Sequence, residues 1–149
     1  MAERSFKFFR KRESEPSKEQ PKPKKVFVVD DDQEWLNVVR DEFSRSKVPF
    51  KTVLWNTDEE GRCDKIIEAI LSEKPDIIIL DYMPHLWDVS YSIEFVRLIQ
   101  KRCPGVPVVY YSRAELPMEK YPEVQGLVVK GKDFGSPFLQ KTKEVLKME

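Results

Sequence analysis

Val26-Phe27-Val28-Val29 runs straight into Asp30-Asp31-Asp32, and the same device recurs along the chain. Ile77-Ile78-Ile79-Leu80 ends on Asp81, Val106-Pro107-Val108-Val109-Tyr110-Tyr111 ends on Ser112, and Leu127-Val128-Val129 ends on Lys130. Short, nearly continuous apolar runs read as strands buried on both faces of a parallel sheet. Open sheets of that kind take their ligands at the carboxyl ends of the strands. Four parallel strands would therefore deliver a carboxylate cluster, a lone carboxylate, a hydroxyl and an ammonium to one rim. That set can hold a divalent cation and a phosphoryl group.

The segments between the runs have helical period. Leu36, Val39 and Phe43 share one face of Gln33–Ser46, with Trp35 and Val38 beside them. Phe50–Trp55 reads as a second strand, and Thr57-Asp58-Glu59-Glu60 has the form of a capping box. It opens a helix with an Ile66, Ile67, Ile70, Leu71 stripe that ends before Pro75. Ser90–Lys101 carries Ile93, Val96 and Ile99 on one face and is closed by Pro104-Gly105. Ser136-Pro137 suits the cap and first position of a last helix, with Phe138, Leu139, Thr142, Val145 and Leu146 on its buried side. The alternation predicts an α/β, doubly wound parallel sheet with helices on both faces. Only 17 residues separate Ser112 from Lys130, they include Pro117 and Pro122, and no apolar stripe runs through them. The fourth helix is expected to be short, irregular or absent.

A chain of 149 residues is one domain by length. Residues 1–25 hold nine Lys/Arg, four Glu and three Pro, too little apolar surface to order themselves, and are expected to form a disordered basic tail. Residues 26–149 form the domain and keep 17 cationic against 22 acidic side chains, a balance of −5. An acidic body argues against a specific nucleic-acid partner and suits a site that gathers carboxylates around a cation. Phe6, Phe8 and Phe9 beside Arg10-Lys11-Arg12 leave open a weak contact of the tail with an anionic surface. Cys63 and Cys103 form no CxxC pair and read as reduced thiols. No stretch resembles a signal peptide, and no apolar run approaches the ~20 residues that span a bilayer, so the expected location is cytoplasmic.

Four motifs, VVDD (28–31), ILDYMP (79–84), PVVYYS (107–112) and VVK (128–130), follow one another at helix-length spacing. On them the chain resembles a response-regulator receiver domain, the CheY-like phosphoacceptor module of two-component signalling, over about residues 25–147. The resemblance implies a flavodoxin-like five-stranded sheet of order 2-1-3-4-5 with its site where strands 1 and 3 diverge. It implies Asp81 as phosphoacceptor, with Lys130 and Ser112 contacting the phosphoryl oxygens and Lys130 bonding only the phosphorylated state. It also implies Mg²⁺ or Mn²⁺ held directly by Asp31 and Asp81, through water by Asp30, and by the Met83 backbone carbonyl. The partners implied are a sensor histidine kinase or phosphotransfer protein and an unidentified downstream protein. The chain is then a stand-alone signalling receiver and not an enzyme.

Several positions depart from that pattern. One residue, Tyr82, separates Asp81 from Met83-Pro84 where two are usual. Val89 stands where Gly is usual, Arg113 where a small residue is, Gly131 where Pro is, and Leu127 where the family carries its switching aromatic. The altered Asp81 loop, Gly131 and the shortened fourth helix favour a second reading, an interaction module of the same fold that works without phosphorylation. A third reading takes Asp30-Asp31-Asp32 as the D-x-D of a haloacid-dehalogenase-type phosphatase. It lacks the acidic motif required after the lysine, since only Asp133, Glu144 and Glu149 follow, and it leaves Asp81 unexplained. His85, the lone histidine, reads as a surface residue.

Overall fold

The apolar runs form strands because their residues are β-branched or aromatic and have a packed layer waiting on each side. The structure, a computed structural model, describes residues 22–60, 64–82, 89–131 and 135–148. In chain order they form β1 (Lys24–Asp30), α1 (Gln33–Ser44), β2 (Phe50–Asn56), α2 (Thr57–Glu60), α3 (Asp64–Glu73) and β3 (Ile77–Asp81). Then come α4 (Val89–Arg102), β4 (Val108–Ser112), β5 (Gly126–Val129) and α5 (Pro137–Val145). Among the described residues, five strands pair in parallel in the order β2-β1-β3-β4-β5. This is the predicted topology.

Alternation along each strand sorts the core into two layers. Phe27, Val29, Ile78, Leu80, Val108 and Tyr110 pack with Ile66, Ile67 and Ile70 of α3 and Phe95, Val96 and Ile99 of α4. Val26, Val28, Ile77, Ile79, Val109, Tyr111 and Val128 pack with Leu36, Val39 and Phe43 of α1 and Phe138 of α5. Each such side chain is worth about 1.5–3 kcal/mol when fully buried, so the two layers supply the force that flattens the chain into a sheet. Register then aligns the rim. Val29 lies beside Leu80, Asp81 beside Tyr111, and Ser112 beside Val129.

Three local expectations shift. β1 begins at Lys24, two residues before the apolar run at Val26, because Lys25 N–H donates to Asp76 Oδ2 at 2.8 Å and its Nζ to the Glu73 carbonyl at 2.8 Å. The capping-box reading of Thr57 gives way to Asn56, whose Oδ1 accepts from Asp58 N–H at 2.9 Å, while Thr57 is buried as the first residue of α2. Ser136 occupies the cap position of α5 with no side-chain cap bond, and Glu42, buried on α1, accepts from Leu139 N–H at 2.7 Å instead. Burial pushes the Glu42 carboxyl above its usual range, and the two α5 amides beside it pull the other way. Between β4 and β5 the chain makes a single 3₁₀ turn, Met118–Lys120, in place of a fourth full helix. The tail expectation for residues 1–21 lies outside the described residues. No helix among the described residues is long and apolar enough to cross a membrane.

Candidate functional site

Asp30, the last residue of β1, is 1% exposed. Its Oδ1 accepts from the backbone N–H of Asp31 at 2.7 Å and of Asp32 at 3.1 Å, which turns the chain out of the sheet. Asp32 then caps α1 by accepting from Glu34 N–H at 2.9 Å. The three acidic residues therefore have separate tasks: Asp30 anchors the turn, Asp32 starts the helix, and the half-buried Asp31 is left at the rim between them.

Asp81 closes β3 and is also buried. Tyr82 N–H donates to the Tyr111 carbonyl at 2.8 Å, so the residue after Asp81 stays fastened to the neighbouring strand. Lys130 follows β5, and its backbone N–H donates to the Ser112 carbonyl at 2.7 Å. Gly131 takes a φ of +75°, a left-handed conformation suited to glycine, so the chain can turn directly after Lys130. The Lys130 ammonium lies 2.7 Å from Asp81 Oδ1 and 3.4 Å from Asp30 Oδ2. Lys130 was expected to bond only the phosphorylated state. The structure corrects this: the ammonium already pairs with Asp81, drawn in by the two buried carboxylates of Asp81 and Asp30.

Two aromatic residues complete the site. The ammonium lies 4.5 Å from the Tyr111 ring centroid and 5.2 Å from that of Trp35. Tyr111 Oη donates to Asp30 Oδ2 at 2.5 Å, a charge-assisted bond inside the core. From sequence, Tyr111 counted only as part of an apolar strand. Its phase was the available signal: in β4 it alternates with Tyr110, which faces the α3 and α4 layer, and it stands opposite Asp81.

Electrostatics follow from burial. Desolvation, and then the charge of Asp30, push the Asp81 carboxyl up to about 8, with Lys130 opposing both. Desolvation also raises Asp30, and the Tyr111 bond pulls it back. Tyr111 is held well above the usual phenol range by burial and by Asp30, so it remains a donor. Asp30, Asp31 and Asp81 each offer a carboxylate oxygen, and the three oxygens lie within 4.8 Å of one another. Hard oxygen donors at that spacing, one of them on an acid whose ionised form is strained by its surroundings, fit a small divalent cation.

A cavity of about 640 Å³ opens over this cluster, and Ser112, Arg113 and Tyr82 line it with the acids and Lys130. Ser112 is buried at the end of β4, and its Oγ accepts from Ala114 N–H at 3.2 Å. Arg113 is exposed at the mouth. The fold thus brings Asp30, Asp31, Asp81, Ser112 and Lys130 to one cavity. Met83, His85 and Cys63 lie outside the described residues. Cys103 is half-buried, and burial raises its thiol, as fits an unreactive cysteine. Leu127 is half-buried on β5, where it pairs with Tyr110. Tyr110 packs edge-on with Tyr82 and Tyr121, at 5.5 and 5.7 Å between ring centroids.

The order β2-β1-β3-β4-β5 has counterparts among solved proteins. Over 85% of its length the chain superposes on NtrX from Brucella abortus with a TM-score of 0.66 at 18% identity. It spans 26% of that longer protein. A response regulator from Thermotoga maritima matches 85% of the chain and 99% of its own, with a TM-score of 0.65 at 15% identity. Chemotaxis protein CheY4 of Vibrio cholerae matches 83% of the chain and 98% of its own, with a TM-score of 0.59 at 22% identity. This is the CheY-like receiver fold. No family model matches the sequence, and no curated protein matches it either. The receiver fold is therefore carried here by a divergent sequence.

Proposed function

We propose that the chain is a phosphoacceptor receiver, taking a phosphoryl group on Asp81 and signalling by a change in affinity for a protein partner. The observation that carries the reading is the contact of Lys130 Nζ with Asp81 Oδ1 at 2.7 Å, beside Asp30, Asp31 and Ser112 in one cavity. An Asp81 carboxylate oxygen attacks the phosphorus of a phosphohistidine on a sensor kinase or phosphotransfer protein. The new O–P bond forms as the N–P bond breaks, and the leaving imidazole nitrogen takes up a proton. Asp31 and Asp81 would hold Mg²⁺ or Mn²⁺, with Asp30 close by. A bound cation would neutralise phosphoryl charge and draw the Asp81 carboxyl down into its ionised, nucleophilic form. Lys130 needs only a small displacement to neutralise a phosphoryl oxygen, and the Ser112 hydroxyl can donate to another. A downstream protein reads the change, and the chain performs no enzymatic turnover of its own.

The runner-up is an interaction module that works without phosphorylation. Its support is the closed set of contacts around Lys130, in which Asp30, Asp81, Trp35 and Tyr111 surround the ammonium with no cation required. Incubation with a phosphorylated histidine donor and Mg²⁺, read by intact mass, separates the two. A gain of one phosphoryl group that chelator prevents supports the phosphoacceptor. An unchanged mass with a competent donor leaves the interaction module as the account.

A further inference from the structure

We propose that the amino-terminal edge of the sheet is a docking groove for an acidic peptide segment of a partner protein, with one apolar side chain of that segment seated between α3 and α4. The groove is built from residues that the Asp81 site does not use. Lys22 precedes β1, Lys24 and Lys25 open it, Lys51 is the second residue of β2, and Lys74 follows α3. All five line one groove of about 590 Å³, and Lys25 and Lys51 are register neighbours. β1 runs seven residues from this edge to Asp30, so the groove lies about 20 Å from the acidic rim, at the opposite ends of the strands.

Local structure accounts for part of this charge. Lys25 Nζ pairs with Glu73 at 3.1 Å and its N–H holds Asp76 Oδ2 at 2.8 Å, so both acids of the groove are already engaged. Lys74 and Arg102 stand at the carboxyl ends of α3 and α4, where cations complement the helix dipoles. Lys22, Lys24 and Lys51 have no such task. They are exposed, stand at no helix end, and make no ion pair among the described residues. Like charges gathered in this way repel one another, and a negative partner relieves the repulsion.

Lys74 joins the groove to an apolar cleft of about 250 Å³, walled by Ile70, Leu71 and Pro75 on one side and by Cys103 and Val106 on the other, with the exposed Arg102 beside them. The apolar groups are recessed: Ile70 and Pro75 are buried, and Leu71, Cys103 and Val106 are half-buried. A lipid surface is gripped by apolar side chains that protrude. A recessed cleft flanked by cations instead receives a side chain from a protein partner. An acidic segment with one aliphatic or aromatic anchor meets both halves of this surface. The Asp81 rim stays open while the groove is filled, so the inference stands whether or not Asp81 is phosphorylated.

The test uses the full chain in a Cys63→Ser background and a fluorescein-labelled peptide of six glutamates around one phenylalanine, followed by anisotropy. The peptide should bind at low salt and lose its hold at 1 M salt, where charges are screened beyond about 3 Å. The variant Lys24→Glu/Lys51→Glu/Lys74→Glu should bind it at least about tenfold more weakly. No binding to the parent chain, or a smaller loss in the triple variant, which keeps residues 1–21, overturns the proposal. Cys103 reports the anchor independently. The phenylalanine peptide should slow modification of its thiol by N-ethylmaleimide, timed by intact mass, and the same peptide with alanine in place of phenylalanine should not. Equal protection by the two peptides, or none, removes the anchor and overturns the proposal. Co-sedimentation with phosphatidylserine vesicles that the triple variant loses would make this edge a membrane contact, and overturns it likewise.

Discussion

Replacing Asp81 by Asn should stabilise the metal-free protein, by an amount that grows with pH. Asp81 is 4% exposed, and its carboxyl is held at about 8 by burial and by the Asp30 charge. Unfolded, it titrates near 3.9. Between those values the folded state binds the extra proton, so the contribution of Asp81 to stability is fully present below about pH 4. It is lost as pH rises towards 8. A window of about four units at 1.36 kcal/mol each sets an upper scale of order 5 kcal/mol. Water entering the cavity and adjustment of Lys130 relax the ionised form, so the measurable gain for Asp81→Asn at pH 8 is about 2–4 kcal/mol. Near pH 4 the two proteins should be equally stable, because protonated Asp and Asn are both neutral there. Urea unfolding in chelator from pH 4 to 8.5, followed by far-ultraviolet circular dichroism, gives the difference directly. Added Mg²⁺ should shrink it by stabilising wild type through linkage. A variant less stable than wild type at pH 8, or a difference independent of pH, would refute the reasoning. The attraction of Lys130 for Asp81 would then outweigh the cost of burying the charge.

Other outcomes follow from the same geometry. Lys130→Ala should destabilise the metal-free protein by about 3–5 kcal/mol, since it strands two buried carboxylates, and Mg²⁺ should restore part of the loss in a urea titration. Glu42→Ala should cost about 1–3 kcal/mol by leaving the first turn of α5 without its acceptor, while Glu42→Gln, which keeps an acceptor, should cost less. Arg113→Ala should speed phosphoryl gain from a small donor, measured by timed intact mass, because the guanidinium stands at the cavity mouth where donor and attacking water enter.

The sheet was legible because Val26–Val29, Ile77–Leu80 and Leu127–Val129 are uninterrupted apolar runs, and each ends on a polar residue that marks the rim. The prolines at 117 and 122 likewise announced the missing helix. Tertiary contacts were not legible. Glu42 looked like one more acidic residue on α1, yet it serves a helix 97 positions away. Tyr111 looked like strand filler, because nothing local ties a β4 residue to Asp30, 81 positions earlier. Thr57 carries the sequence signature because a capping box is written in local sequence, whereas Asn56 becomes the cap only as the last residue of β2, set by pairing with β1. The site residues themselves were read from motif and strand end. What needed the structure was which of them were already bonded to one another.

The central claim is that Asp81 receives the phosphoryl group, and chemical localisation tests it most directly. After transfer from a phosphohistidine donor in Mg²⁺, borohydride reduction converts an aspartyl phosphate to homoserine, and peptide mass spectrometry finds the position. The account predicts homoserine at position 81, absent without donor and absent when chelator replaces Mg²⁺. Homoserine at another aspartate, or none at position 81 under conditions where a known receiver is labelled by the same donor, would contradict it.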